Sequence, residues 1–311
     1  MTPEPTALLF AGQGAQKPGM GRDFFDACPA SRAVYERARE LLAYDLADIC
    51  FNGPAEKLND TAICQPAILV TSLAILAALR EREAFSRAQI VAAAGLSLGE
   101  YSALAFAGAL SHDDAVRLIA RRGEAMAAAA AQRGGTMTSI IGLGRAEVLA
   151  AVAEAKGEGV VCAANFNCPG QIVISGEASA VARAAELCKA KGAKMTLPLA
   201  VSGAFHSPLM TPAAETLRTA LAGTQFRAPQ VPVISNVTAQ DVASAAEIPL
   251  LLERQLTSPV LWEDSMQLLL ARGVKRFLEI GPGNVLAGLM RRIDRDAKVV
   301  SLNSVASLDA L

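Results

Sequence analysis

The chain carries no excess of either charge: 29 Lys and Arg stand against 30 Asp and Glu, a formal net charge of -1. Without a basic surplus there is no general attraction to nucleic acid or to an anionic membrane. Long hydrophobic runs are missing too. The most apolar stretch, Ile63 to Leu79, is interrupted by Cys64, Gln65, Pro66, Thr71 and Ser72, and so falls short of the ~20 uninterrupted apolar residues of a membrane span. The N-terminal stretch has Glu4 before any Lys or Arg, and its apolar run is too short for a secretory leader. The six cysteines, at 28, 50, 64, 162, 168 and 188, form no CxxC pair and no Cys/His cluster. They read as small buried hydrophobes in a reducing compartment, so the expectations are a cytoplasmic location and no metal. Apolar content is what the chain has in quantity, 52% hydrophobic against 19% charged, far from the signature of disorder. Its 311 residues suffice for a large core without disulfide staples, and at about 150 residues per domain for two domains or one large one.

Short apolar runs alternate with helical patterns from end to end, which predicts an α/β protein. Ala7–Ala11 reads as the first strand, ending in the loop Gly12-Gln13-Gly14. Ser31 is expected to cap a helix carrying Val34, Ala38, Leu41 and Leu42, and a long helix is expected around Ala67–Arg82. Ile90–Ala94 reads as a buried strand, and Ser111 as the cap of a helix running into the Ala-rich segment Ala127–Ala131. Then the pattern changes. Thr136–Leu143, Gly159–Ala164, Gln171–Ser175 and Ala193–Leu199 read as strands, with helices over Arg145–Lys156 and Ala178–Lys191. That β-α-β-β-α-β order within about 65 residues is the ferredoxin-like pattern. It predicts a small subdomain, residues 132–201, inserted into a larger α/β domain made of 1–131 and 202–311. The larger part resumes near Ser202, with strands at Val231–Ser235 and Lys275–Ile280 and helices around Pro249–Gln255 and Trp262–Arg272.

Gly95-Leu96-Ser97-Leu98-Gly99 is a G-x-S-x-G sequence between a predicted strand and a predicted helix, Glu100–Ala107. That context suits a nucleophile elbow: the glycines allow the sharp turn, and the helix N-terminus faces the hydroxyl. The Leu98 N–H is then placed to bind an oxyanion. A serine nucleophile needs a base, and there are only two histidines. His112 lies at a helix start beside Asp113 and Asp114, where a solvated role is expected. His206, in the loop Gly203-Ala204-Phe205-His206, is the remaining candidate. Hydrolase order would place an Asp or Glu between Ser97 and His206, yet no acid there is well placed to orient the imidazole. A Ser–His dyad steadied by a carbonyl fits better, which tells against an ordinary esterase.

Gly12-Gln13-Gly14, Gly95–Glu100, Arg122-Gly123, Asn165 to Gln171, Gly203–His206 and Gly281-Pro282-Gly283 occur in that order along essentially the whole chain. Together they resemble the malonyl-CoA:acyl carrier protein transacylases of fatty-acid synthesis. The resemblance implies a hydrolase-like α/β domain with a ferredoxin-like insertion. It also implies malonyl transfer from coenzyme A to the phosphopantetheine thiol of acyl carrier protein by a ping-pong route, with no metal or redox cofactor. By position, Ser97 would take the malonyl group as an ester and His206 would serve as base and then acid. Gln13 and Leu98 would give oxyanion N–H groups, and Gln255 would orient the histidine through a carbonyl. Arg122 would hold the malonyl carboxylate, Asn167 would approach the thioester, and Phe205 would crowd a methyl branch on the acyl α-carbon.

One departure stands out: Leu96 replaces the histidine that many members carry before the serine, so any role for that imidazole is absent. Two other readings compete. A thioesterase or esterase could use the same Ser–His pair, and a non-catalytic interaction module could share the fold. Arg122 and the missing hydrolase acid argue against the first; the joint presence of Ser97, His206, Arg122 and Gln13 argues against the second. An acyltransferase of a polyketide pathway remains open, as does the choice of basic residues, among Lys189–Lys194 and Arg291–Lys298, that would dock an acidic carrier.

Overall fold

Among the described residues, 4–82 and 89–311 of a computed structural model, nine strands divide between two sheets. Residues 1–3, the start of the stretch read for a leader, lie outside them. The strands β1 (Pro5–Phe10) and β2 (Gln89–Gly95) open the larger sheet. Next, β3 (Thr136–Ile141), β4 (Val161–Cys168), β5 (Gln171–Gly176) and β6 (Met195–Pro198) form the smaller one. The larger is completed by β7 (Val233–Ile234), β8 (Arg276–Ile280) and β9 (Lys298–Leu302).

The larger sheet has the order β7-β2-β1-β8-β9, with every pairing parallel. Parallel strands covered on both faces need continuous apolar runs, and Ala7, Leu8, Leu9 and Phe10 are all fully buried. The smaller sheet, β4-β5-β3-β6, is antiparallel throughout. With the helices Arg145–Ala155 and Ala178–Ala190 it forms the ferredoxin-like unit, around its own core of Ile140, Val148, Phe166, Ile174 and Cys188. The smaller sheet is also tied by hydrogen bonds to the segment after the helix Ile248–Gln255: Phe166 N–H donates to the Val260 carbonyl and Val260 N–H to the Ala164 carbonyl, each at 2.9 Å.

Several local expectations need correcting. The helix expected behind Ser31 runs Pro29–Leu42, with Pro29 in its first turn; Ser31 lies inside it and donates to the Ala74 carbonyl at 2.7 Å. Pro at the first helical position is the start signal that decides this boundary. The long helix starts at Thr61, with Asp60 accepting from the Ala62 N–H, and it passes through Pro66 to Glu81. By length and composition this helix could cross a membrane, contrary to expectation, but 83% of its apolar window is buried inside the fold, so it is a core helix. The basic segment Arg291–Lys298 spans the end of the helix Val285–Ile293 and the start of β9, with Arg291, Arg292, Arg295 and Lys298 exposed. All six cysteines are free thiols.

Candidate active site

At the carboxyl edge of the larger sheet, where open parallel sheets present their ligands, β2 turns into the helix Gly99–Phe106. Neither glycine of the turn has room for a side chain. A Cβ on Gly95 would lie 1.9 Å from the Gly99 carbonyl carbon, and one on Gly99 would lie 2.3 Å from the Phe10 oxygen. Between them Ser97 is held in the left-handed region at φ 53°, a strained setting for a non-glycine residue. Asn236, just beyond β7, secures it. Its Oδ1 accepts the Ser97 N–H and its Nδ2 donates to the Gly95 carbonyl, both at 2.7 Å.

Ser97 Oγ lies 2.8 Å from His206 Nε2, and His206 Nδ1 lies 2.8 Å from the Gln255 carbonyl oxygen. A carbonyl can only accept, so Nδ1 carries the proton and Nε2 is free to accept from the serine hydroxyl. His206, too, sits at positive φ, 56°. The helix His112–Arg133, capped by Ser111, brings in Arg122, which is 1% exposed. Its Nη2 donates to Ser97 Oγ and to Gln255 Oε1, each at 2.9 Å, and its Nη1 donates to Gln65 Oε1 at 2.5 Å. Its Nε is buried with no acceptor, and no carboxylate is ion-paired with it among the described residues.

Ser97 and His206 open into a cavity of about 180 Å³, room for a few water molecules at ~30 Å³ each or for a short acyl group. Gln13, Asn167 and Phe205 line the same cavity. Asn167 Oδ1 is buried there without a partner. The backbone N–H groups of Gln13 and Leu98 also have no acceptor among the described residues. Thus Ser97, His206, Arg122, Gln255, Gln13, Leu98, Asn167 and Phe205 stand at one site or brace it. His112 does not, and it is half-buried beside Arg80 rather than solvated; burial first, then Arg80, lowers its pKa.

Three members of this network escaped the sequence reading: Asn236, Gln65 and Glu100 as a buried carboxyl. A glutamine inside the apolar run Ile63 to Leu79 was the one visible signal. Glu100 is 1% exposed, and its Oε2 accepts from Gln255 Nε2 at 2.6 Å and from the Asn236 N–H at 3.2 Å. Burial pushes its carboxyl up to about 7, against the opposing pull of those two donors and of Arg122. The imidazole of His206 is pushed down to about 4, by burial first and then by the Arg122 charge.

With two histidines in the chain, that shift can be read directly by following the ring nitrogens by NMR. The His206 ring is expected to stay neutral from pH 8 to about 5 and to titrate near 4. Arg122→Met should move its midpoint upward, toward the ordinary ~6.5. A wild-type midpoint at 6.5 would refute the electrostatic account.

A parallel sheet with a strained serine at its carboxyl edge, paired to a histidine, defines an enzyme that moves acyl groups through a serine ester. In agreement, the family model for the acyl transferase domain matches residues 7–308. The chain belongs, more narrowly, to the malonyl CoA-acyl carrier protein transacylases. It is 45% identical over 307 residues to the one from Bacillus subtilis, covering 97% of this chain and 95% of that one. To the one from Haemophilus influenzae it is 43% identical over 305 residues, covering 98% and 97%. Among solved structures, an acyl carrier protein S-malonyltransferase from Vibrio cholerae superposes with TM-score 0.94 at 43% identity, covering 99% of both chains. A malonyl-transacylase solved in complex with its type II PKS acyl-carrier protein superposes equally well, with TM-score 0.94 at 42% identity, covering 99% of this chain and 98% of that one.

Proposed function

We propose that this protein moves a malonyl group from malonyl-CoA to the phosphopantetheine thiol of acyl carrier protein through an ester on Ser97, supplying malonyl-carrier for fatty-acid chain elongation in the cytoplasm. The observation that carries the reading is Arg122: a buried guanidinium 2.9 Å from the nucleophile's oxygen, whose Nε has no acceptor and which has no ion-paired carboxylate among the described residues. Leaving a charge in that state is costly unless a ligand completes it. A malonyl carboxylate does so, being a planar two-oxygen acceptor that a guanidinium can grip with paired N–H···O bonds. We take residues 132–201 as the inserted subdomain that covers the cavity, with 1–131 and 202–311 as the catalytic domain.

In the first half-reaction Ser97 Oγ attacks the thioester carbonyl while His206 Nε2 takes the hydroxyl proton. The N–H groups of Gln13 and Leu98 receive the oxyanion. When the intermediate collapses, the C–S bond breaks and Nε2–H protonates the departing thiolate. The carrier thiol then repeats the sequence in reverse, giving its proton to His206 and releasing Ser97. Substrate also tunes the base: a carboxylate on Arg122 cancels the charge that depresses His206, so the imidazole becomes more basic once malonyl is seated. Asn167 faces the thiol arm, and Phe205 fills the space a methyl branch would need.

The test is kcat/KM for malonyl-CoA and acetyl-CoA in wild type and Arg122→Ala. Removing one partner of a buried charge pair costs about 2–5 kcal/mol, so malonyl transfer should fall by roughly one to four decades at ~1.4 kcal/mol per decade. Acetyl transfer, which has no carboxylate to lose, should hold or rise. An equal fall for both substrates would mean that Arg122 supports the fold or the dyad instead.

A further inference from the structure

Glu100 is the buried ionisable group at this site that the mechanism leaves unused. Its oxygen Oε2 receives one hydrogen of the Gln255 amide, while the other goes to the Ser97 carbonyl at 3.1 Å. With both amide hydrogens committed to acceptors, Gln255 Oε1 has one orientation, toward Arg122 Nη2. Turned over, the amide would set N–H groups against a guanidinium. The same residue's backbone carbonyl holds His206. A single glutamine thus links a carboxylate, a guanidinium and the base, and the carboxylate decides which way it faces.

We propose that Glu100 is a positioning residue and internal counter-charge: through the Gln255 amide it aims Arg122 at the acyl carboxylate, and by its own charge it competes with that carboxylate for the guanidinium. The proposal rests on Arg122 as the acid-binding group. The charged and titratable groups around Glu100 are Arg122, from the helix His112–Arg133, and Tyr101, on its own helix; Arg122 in turn faces Cys64 and acts on His206. Ionised Glu100 and a malonyl carboxylate would share one positive charge in a dry site, whereas protonated Glu100 still accepts at Oε2 but no longer competes. The preference that Arg122 gives for carboxylated over plain acyl groups is therefore modulated by the charge on Glu100. With burial pushing the Glu100 carboxyl up to about 7, that change is expected between pH 5.5 and 8.5.

The malonyl-to-acetyl ratio of kcat/KM in the acylation half-reaction reads this effect, because what Glu100 does to the unliganded dyad is common to both substrates and the remaining difference passes through Arg122. In wild type the ratio should fall by up to roughly thirtyfold as pH rises from 5.5 to 8.5, the effect of one charge about 8 Å away at an effective dielectric of about 20. Glu100→Gln keeps an acceptor oxygen for Gln255 and Asn236 but carries no charge, so its ratio should be high and flat across that range. Glu100→Leu frees the amide to turn and should lower the ratio at every pH. A wild-type ratio independent of pH overturns the proposal, as does a Glu100→Gln ratio that still falls with pH. Arg122→Ala in the same assay separates the two readings: equal losses for both substrates sink the role of Arg122 itself. A selective loss there beside an unaltered Glu100→Gln enzyme sinks only the role of Glu100.

Discussion

Ser97→Ala is expected to abolish both the covalent malonyl adduct and transfer to the carrier, while the protein stays folded. The hydroxyl has two partners, His206 Nε2 and Arg122 Nη2, and neither bond supports the turn. The turn is kept by backbone contacts that an alanine preserves: the Ser97 N–H to Asn236, the Glu100 N–H to the Ser97 carbonyl, and Gln255 Nε2 to that same carbonyl. Removing a nucleophile that works together with its base costs on the order of 10⁶ in comparable serine enzymes. Intact-mass measurement after mixing with malonyl-CoA should show one adduct in wild type, mapping to Ser97, and none in the variant. If the alanine variant still accumulates an adduct, the nucleophile lies elsewhere.

His206→Ala should have the next largest effect. The ring is the one group within hydrogen-bond distance of the serine hydroxyl that can accept its proton, since the other neighbour is a guanidinium. Loss of a general base slows the step by roughly 10²–10⁴. Because the same ring returns the proton to the leaving thiolate, acylation and deacylation should both slow. Rapid-quench measurement of each half-reaction gives the two rates separately. His112→Ala is the control, and it should leave both rates unchanged; a larger loss there than at His206 would redraw the dyad.

The elbow was legible in the sequence because its requirements are local: a strand, two glycines that must be bare, a serine, a helix. Arg122 could be placed near the buried face by its spacing from Val116 and Ile119 along one helix. Its partners could not, since Gln65 and Gln255 are 57 and 133 residues away in the chain. Asn236, 139 residues from Ser97, had no signal at all, being a polar residue after a strand of two residues. Glu100 sat inside the recognised motif, but an acid in a first helical turn ordinarily reads as a solvated companion of the helix dipole. The helix expected around Ala67–Arg82 begins earlier, at Thr61, because the packing of Thr61–Glu81 in the core outweighs the one backbone bond that Pro66 removes. The β9 strand was hidden because its first residue, Lys298, continues a run of charged side chains.

The hydrogen bonds that tie β4 to Val260 have a bearing on how the enzyme handles two very different donors and acceptors of the acyl group. Val260 lies five residues beyond Gln255, so the segment that gives its carbonyl to His206 is also pinned to the smaller sheet. Were that sheet to swing outward like a jaw, it would pull on the carbonyl and detune the base. Two hydrogen bonds therefore oppose that swing and hold the frame, like a vice, at one width. Coenzyme A and the carrier's arm must each thread the same standing aperture, and the donors meant for the transition state need no rebuilding between one half-reaction and the next.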